Sequence, residues 1–210
     1  MEENLHFILD YETLGQDVFK VPVVNCSYYT FDWNRFTSDD PYTFNELIHS
    51  IKFDKFDVAE QVEAGYRFHQ RDLEWWTEQG PEARRQIRPS KENDISVSQF
   101  VENVYEYLKN TKISYWWSRS NTFDPILLHR NFKDFSSRER LDFILPYWLV
   151  RDIRTYIDAQ FQFKLKKNGF IPIDDHELWN KHFIKHNSVH DVAADILRLQ
   201  RIERTIHRDV

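Results

Sequence analysis

Glycine is scarce in this chain, with four among 210 residues, and none lies in a Gly-x-Gly-x-x-Gly or Gly-Lys-Ser/Thr phrase. That excludes the glycine-rich loops that cradle nucleotide phosphates. Cysteine occurs once, as Cys26, so neither an intramolecular disulfide nor a cysteine-based zinc site is available. Its neighbours Val23-Val24-Asn25 point to a small buried side chain. No apolar run approaches the roughly 20 residues that a membrane-crossing helix needs. Met1-Glu2-Glu3-Asn4 is acidic and polar, unlike a signal or transit peptide, which predicts a cytoplasmic protein with no membrane partner. Basic excess is also missing. A net charge of −6 argues against indiscriminate adhesion to polyanions, while leaving room for local basic patches beside an acidic pocket. Internal repeats and low-complexity segments are absent from the sequence.

What the chain has in quantity is aromatic side chains, at 16%, enough that some rings are expected to serve recognition rather than packing. The length predicts one domain over residues 1–210. Residues 5–11 and 23–33 read as strands, 43–49 as a short helix or turn capped by Thr43, and 51–58 as a third strand. Residues 71–79 read as a helix stopped by Gly80-Pro81, followed by a polar basic connection over 80–95. Phe100, Val101, Val104, Tyr105 and Leu108 recur at helical spacing after a cap at Ser96 or Ser98. Residues 112–118 read as a buried strand. Asp124 is placed as the cap of the next helix, with Pro125 at its first position. A last strand is expected within 147–153, then a helix through Tyr156 and Phe161. Near the end, Val192, Ile196, Leu199, Ile202 and Ile206 share one helical face. The alternation predicts an α/β fold, a mixed sheet flanked by helices.

The chemistry gathers on acids. The apolar run His6-Phe7-Ile8-Leu9 ends in Asp10-Tyr11-Glu12-Thr13-Leu14-Gly15. Strand side chains alternate, so Asp10 and Glu12 leave the same face. Two carboxylates that close repel each other, and a divalent cation with a preference for oxygen relieves both. Asp124 follows Ser120-Asn121-Thr122-Phe123, and His190-Asp191-Val192-Ala193-Ala194-Asp195 enters the terminal helix. Each has an ordinary reading: solvated loop acids, a helix cap, a surface histidine. Taken in order, the set resembles the DEDD superfamily of 3′→5′ exonucleases, whose motifs are Asp-x-Glu, Phe-Asp and His-x4-Asp. Asp10 and Glu12, Phe123 and Asp124, and His190 and Asp195 carry the match. The histidine form points to the DEDDh branch. Leu73-Glu74-Trp75-Trp76 with Gln79, and Arg151-Asp152-Ile153-Arg154-Thr155, resemble a narrower group of phage exonucleases and bacterial exoribonuclease domains. The His-Asn pair often found before the second-motif Asp is replaced here by Ser120 and Asn121.

The resemblance implies an RNase H-like sheet and a metal-dependent 3′-5′ exonuclease that trims single-stranded DNA to mononucleotides. RNA is the alternative substrate, and a silent nucleic-acid-binding module the alternative class. It implies two Mg²⁺ ions, replaceable by Mn²⁺, with Asp10 bridging them. Glu12 and Asp195 complete the nucleophile-side ion, Asp124 holds the second, and His190 is the general base. Five residues on a helix turn through about 500°, so His190 and Asp195 do not share a face, and His190 is expected at or before the first turn on a mobile segment. Leu14 and Thr13 beside the acids, Trp75 or Trp76, Asn121 and Phe123 are the expected substrate contacts. Adjacent tryptophans on a helix cannot both face one way, so one is expected in the core. Arg84, Arg85, Arg88 and Arg119 could track phosphates, but most of them read first as a solvated face. Arg151 and Arg154 stand open between pairing with nearby acids and touching substrate. A homodimer is one option for the assembly. Paired carboxylates acting as in a glycosidase fit poorly, since two further acids would have no task.

Overall fold

A computed structural model describes residues 3–90, 92–167, 169–171 and 183–206. Its centre is β1 (Leu5–Thr13), whose alternation decides the architecture. Phe7, Leu9 and Tyr11 enter one apolar core, while Ile8 enters a second on the opposite face. β2 (Val23–Asp32) pairs antiparallel with β1, and β3 (Lys52–Lys55) antiparallel with β2. On the other side β4 (Tyr115–Ser118) and β5 (Val150–Asp152) run parallel to β1. The sheet order is β3-β2-β1-β4-β5, a mixed sheet flanked by helices as expected.

Helices α5 (Val97–Leu108) and α6 (Asp124–Phe135) bury their apolar sides against the Phe7 face. α1 (Phe44–Ser50), α8 (Ile153–Gln160) and α9 (Ser188–Ile206) cover the Ile8 face, which is also the face of Asp10 and Glu12. Between these lie α2 (Val58–Glu63), α3 (Gln70–Thr77), α4 (Pro81–Gln86) and α7 (Arg138–Ile144). Local chemistry explains the boundaries. The Thr43 hydroxyl accepts from the Glu46 amide, and the Ser96 hydroxyl accepts from the Gln99 amide at 3.0 Å.

Three expectations needed correction. The strand read over 51–58 is shorter, because Ile51 closes α1 and Asp57 caps α2 through the amides of Ala59 and Glu60. The basic connection over 80–95 contains α4; α3 has already ended at Thr77, and Gly80-Pro81 starts the next helix, since proline fits a first helical turn. Asp124 is not a cap. Phe123 occupies that position and Asp124 is the first helical residue, its carboxylate turned back to the sheet. Among the described residues no helix is long and apolar enough to cross a membrane.

Candidate active site

The site forms where β1 and β4 end, on the α9 face. Asp10 lies opposite Ser27 and Glu12 opposite Asn25, and the ladder slips between Glu12 and Thr13. Such an irregularity ends regular pairing and re-aims side chains beside a site. The two cross-strand neighbours fix the next element. Ser188, first residue of α9, donates its hydroxyl to Asn25 Oδ1 at 2.7 Å and lies 2.7 Å from the Ser27 hydroxyl. Asn187 Oδ1 accepts from the Val189 amide at 3.1 Å. The start of α9 is therefore pinned over the strand next to the acids.

This brings Asp191 to Asp10 and Glu12: one carboxylate oxygen from each lies within 4.8 Å of the others. Asp124 is 4% exposed and accepts from the Tyr11 amide at 3.1 Å, which ties α6 to the strand between the two acids. Asp195 is 5% exposed and faces two arginines. Arg119 Nε reaches its oxygens at 3.0 and 2.9 Å, and an Arg198 terminal nitrogen donates at 2.7 Å. Asp191 carries no motif role in the sequence, and Arg119, expected on a solvated face, is instead largely buried against Asp195 because that carboxylate needs a partner. The helical i, i+4 spacing of Asp191 and Asp195 was the available sign that they share a face.

The electrostatics follow from five acids in one place, Asp124 and Asp195 buried and Asp10, Glu12 and Asp191 half-buried. Burial, then the charges of Asp124, Glu12, Asp191 and Asp195, drive Asp10 well above the carboxylate range. Burial and neighbouring acids push Glu12 to about 8 and Asp191 to about 7. Burial likewise brings Asp124 to about 7. Asp195 goes the other way: against the upward push of burial, Arg119 and Arg198 hold it below its ordinary value.

A donor set of adjacent, desolvated carboxylate oxygens needing positive charge fits a hard divalent cation. The sign of the pH effect follows. Glu12, Asp124 and Asp191 have folded values above the roughly 4 of an unfolded chain. Their stabilising protonation is complete below pH ~4 and is lost as pH rises through about 7 to 8. Through this cluster the metal-free protein is expected to melt lower at pH 8 than at pH 6. Mn²⁺ at ~100 times its Kd should then raise Tm at pH 8 by roughly 5–10 °C. A melting temperature indifferent to Mn²⁺ at pH 8 would reject a metal site here.

His190 lies in the first turn of α9, with Nδ1 accepting from the Ile184 amide at 3.0 Å and the ring edge-on to Phe44. Burial lowers its pKa. Trp76 is 1% exposed and donates from Nε1 to the Thr13 carbonyl at 3.0 Å, whereas Trp75 is 43% exposed with its ring 4.9 Å from that of His186. Thr13 donates its hydroxyl to the Gly15 carbonyl at 2.6 Å. Leu14 is buried among Val18 and Val21 in the core. Asn121 is exposed and its amide donates to Asp152, while Phe123 packs partly against the core.

The fold is an RNase H-like mixed sheet flanked by helices, with a cluster of acids at its end. Residues 5–199 match the family described as 3′-5′ exoribonuclease Rv2179c-like domain. A relative, the exodeoxyribonuclease of Enterobacteria phage T4, is 34% identical over 209 residues, covering 92% of this chain and 87% of the relative. The chain belongs to this Rv2179c-like family and is an exonuclease. Among solved structures, E. coli exonuclease I with a dA16 oligonucleotide superposes with a TM-score of 0.60 at 12% identity, covering 98% of this chain and 41% of that one. The zinc-bound form of the E. coli exonuclease I–single-stranded DNA complex gives 0.58 at 13%, covering 99% and 41%. These two likenesses concern the fold, and the chain spans about two fifths of the length of exonuclease I.

Proposed function

We propose that this chain is a 3′-5′ exonuclease that hydrolyses single-stranded DNA to mononucleotides with two divalent ions, Mg²⁺ or Mn²⁺. The observation that carries the reading is the meeting of Asp10, Glu12, Asp124, Asp191 and Asp195 at one end of the sheet, with His190 in the turn above them. Such ions, when bound, supply a hydroxide nucleophile near neutral pH and offset charge on the leaving oxygen. Asp10 and Glu12 present their carboxylates on one face of β1, and Asp124 adds a third from α6. Asp191 and Asp195 approach from α9, Asp195 oriented by Arg119 and Arg198. His190 takes the proton of the attacking water. The exposed ring of Trp75 stacks on a base near the 3′ end, an interaction of about 1–3 kcal/mol that asks for no particular sequence. Trp76, buried beside it, ties α3 to the end of β1 by donating to the Thr13 carbonyl.

RNA is the second reading, favoured by the exoribonuclease description of the family. Matched DNA and RNA oligonucleotides, each labelled at either end and offered with Mg²⁺, decide between them. We expect stepwise shortening from the 3′ end, faster on DNA. Faster loss of the RNA would reverse the sugar preference, and shortening from the 5′ end or internal cuts would reject the reading.

A further inference from the structure

Three arginines stand around the acid cluster, and two of them are committed. Arg119 and Arg198 both spend their guanidinium groups on Asp195. Arg151, in the same phrase as the third, donates to the carbonyls of Trp148 and Val150 and lies over the Tyr115 ring at 4.2 Å. Arg154 differs. It is exposed, and makes no hydrogen bond or ion pair with any described residue.

Its position is nevertheless fixed. The Asp152 carboxylate accepts from the Thr155 amide at 2.6 Å, capping α8, and from the Asn121 amide at 3.1 Å. One side chain thus ties the first turn of α8 to the segment that leads into Asp124. From the other side, Gly169 lies against the Arg154 stem so closely that a Cβ there would sit 2.6 Å from Arg154 Cα and 2.7 Å from its Cγ. Gly169 also has φ +65°, and its carbonyl accepts from Arg119 at 3.1 Å. Glycine is required on both counts. The charge of Arg154 reaches Asp124, where it works against the upward push of burial. Yet the carboxylate it influences bonds the Tyr11 amide, not the guanidinium.

We propose that Arg154 binds a phosphate of the substrate at the acid cluster, its stem held in place by Gly169 and its guanidinium unpaired among the described residues. Guanidinium presents paired donors matched to phosphate oxygens. A polyanion entering a pocket of five acids needs a cation that those acids have not already taken. The inference rests on the nuclease reading of the site.

The test compares wild type, Arg154→Ala and Arg154→Lys on a 3′-labelled single-stranded oligonucleotide, alongside calorimetry with Mn²⁺, 5′-dTMP and thymidine. We expect Arg154→Ala to lower kcat/KM roughly 10- to 100-fold, the range of a charge-assisted hydrogen bond. Arg154→Lys should fall between, and added guanidinium ion should restore part of the loss only in the alanine variant. Mn²⁺ affinity should stay at the wild-type value. The wild-type preference for 5′-dTMP over thymidine in Mn²⁺ should shrink roughly 10-fold or more in Arg154→Ala, the remainder coming from the ions. A preference of undiminished size, or Mn²⁺ binding that falls with the substitution, overturns the proposal. If wild type releases no mononucleotide, the nuclease reading fails, and the 5′-dTMP comparison still decides whether Arg154 holds a phosphate.

Discussion

Asp10→Asn is expected to lower turnover by roughly 10³-fold or more, about 4 kcal/mol of barrier, while the folded protein persists. Asp10 is the acid that senses all the others: Asp124, Glu12, Asp191 and Asp195 each act on it. Asparagine keeps its shape and removes both the charge and the anionic ligand. The same substitution should raise the melting temperature of the metal-free protein at pH 8, because one half-buried carboxylate leaves a mutually repelling group. Loss of activity with gain of stability is the mark of a site held under electrostatic strain. An Asp10→Asn protein that still releases mononucleotides at a wild-type rate would remove Asp10 from the reaction. One that melts lower than wild type would mean that its carboxylate stabilises the fold.

His190→Ala is expected to cost about 10²- to 10⁴-fold in kcat, the usual contribution of a general base, with Mn²⁺ affinity unchanged. The structure adds a condition. A neutral imidazole has one bare nitrogen, and here that nitrogen, Nδ1, accepts from the Ile184 amide. To take a proton from water, His190 must leave this bond. The ¹⁵N resonance of Nδ1 should therefore move when 5′-dTMP and Mg²⁺ are added together. An unchanged resonance in that complex would argue that His190 stays in its present contact and is not the base. Lost Mn²⁺ binding in the alanine variant would assign the residue to the metal site instead.

Much of the architecture was legible in the residues. Strand alternation in His6 to Glu12 placed two acids on one face, because a pleated backbone allows nothing else. The capping hydroxyls of Thr43 and Ser96 marked helix starts because they satisfy amides that no helix turn can reach. Trp75 and Trp76 had to part company on a helix, and they do, one exposed and one in the core. Local pattern misled at Gly80-Pro81, which reads as a stop and is instead a start, α3 having ended at Thr77. It misled at Asp124 too, since a residue before proline looks like a cap until the Tyr11 amide, 113 positions away, draws its carboxylate to the sheet.

The sequence by itself determined the kinds of groups available and their local directions: four motif acids, a histidine, and strands and helices in an order that a mixed sheet accommodates. Only the tertiary structure decided which of them meet. Asp191 stands nearer to Asp10 and Glu12 because Ser188 bonds to Asn25 and Ser27, two residues of a strand more than 160 positions earlier. Arg119 and Arg198 close on Asp195, while Arg154 pairs with none of the described residues, a division of charge set by how β4, α8 and α9 pack. The reason is physical: periodicity and capping act within a few residues, whereas buried charge is governed by whichever partners the fold brings within a few ångströms.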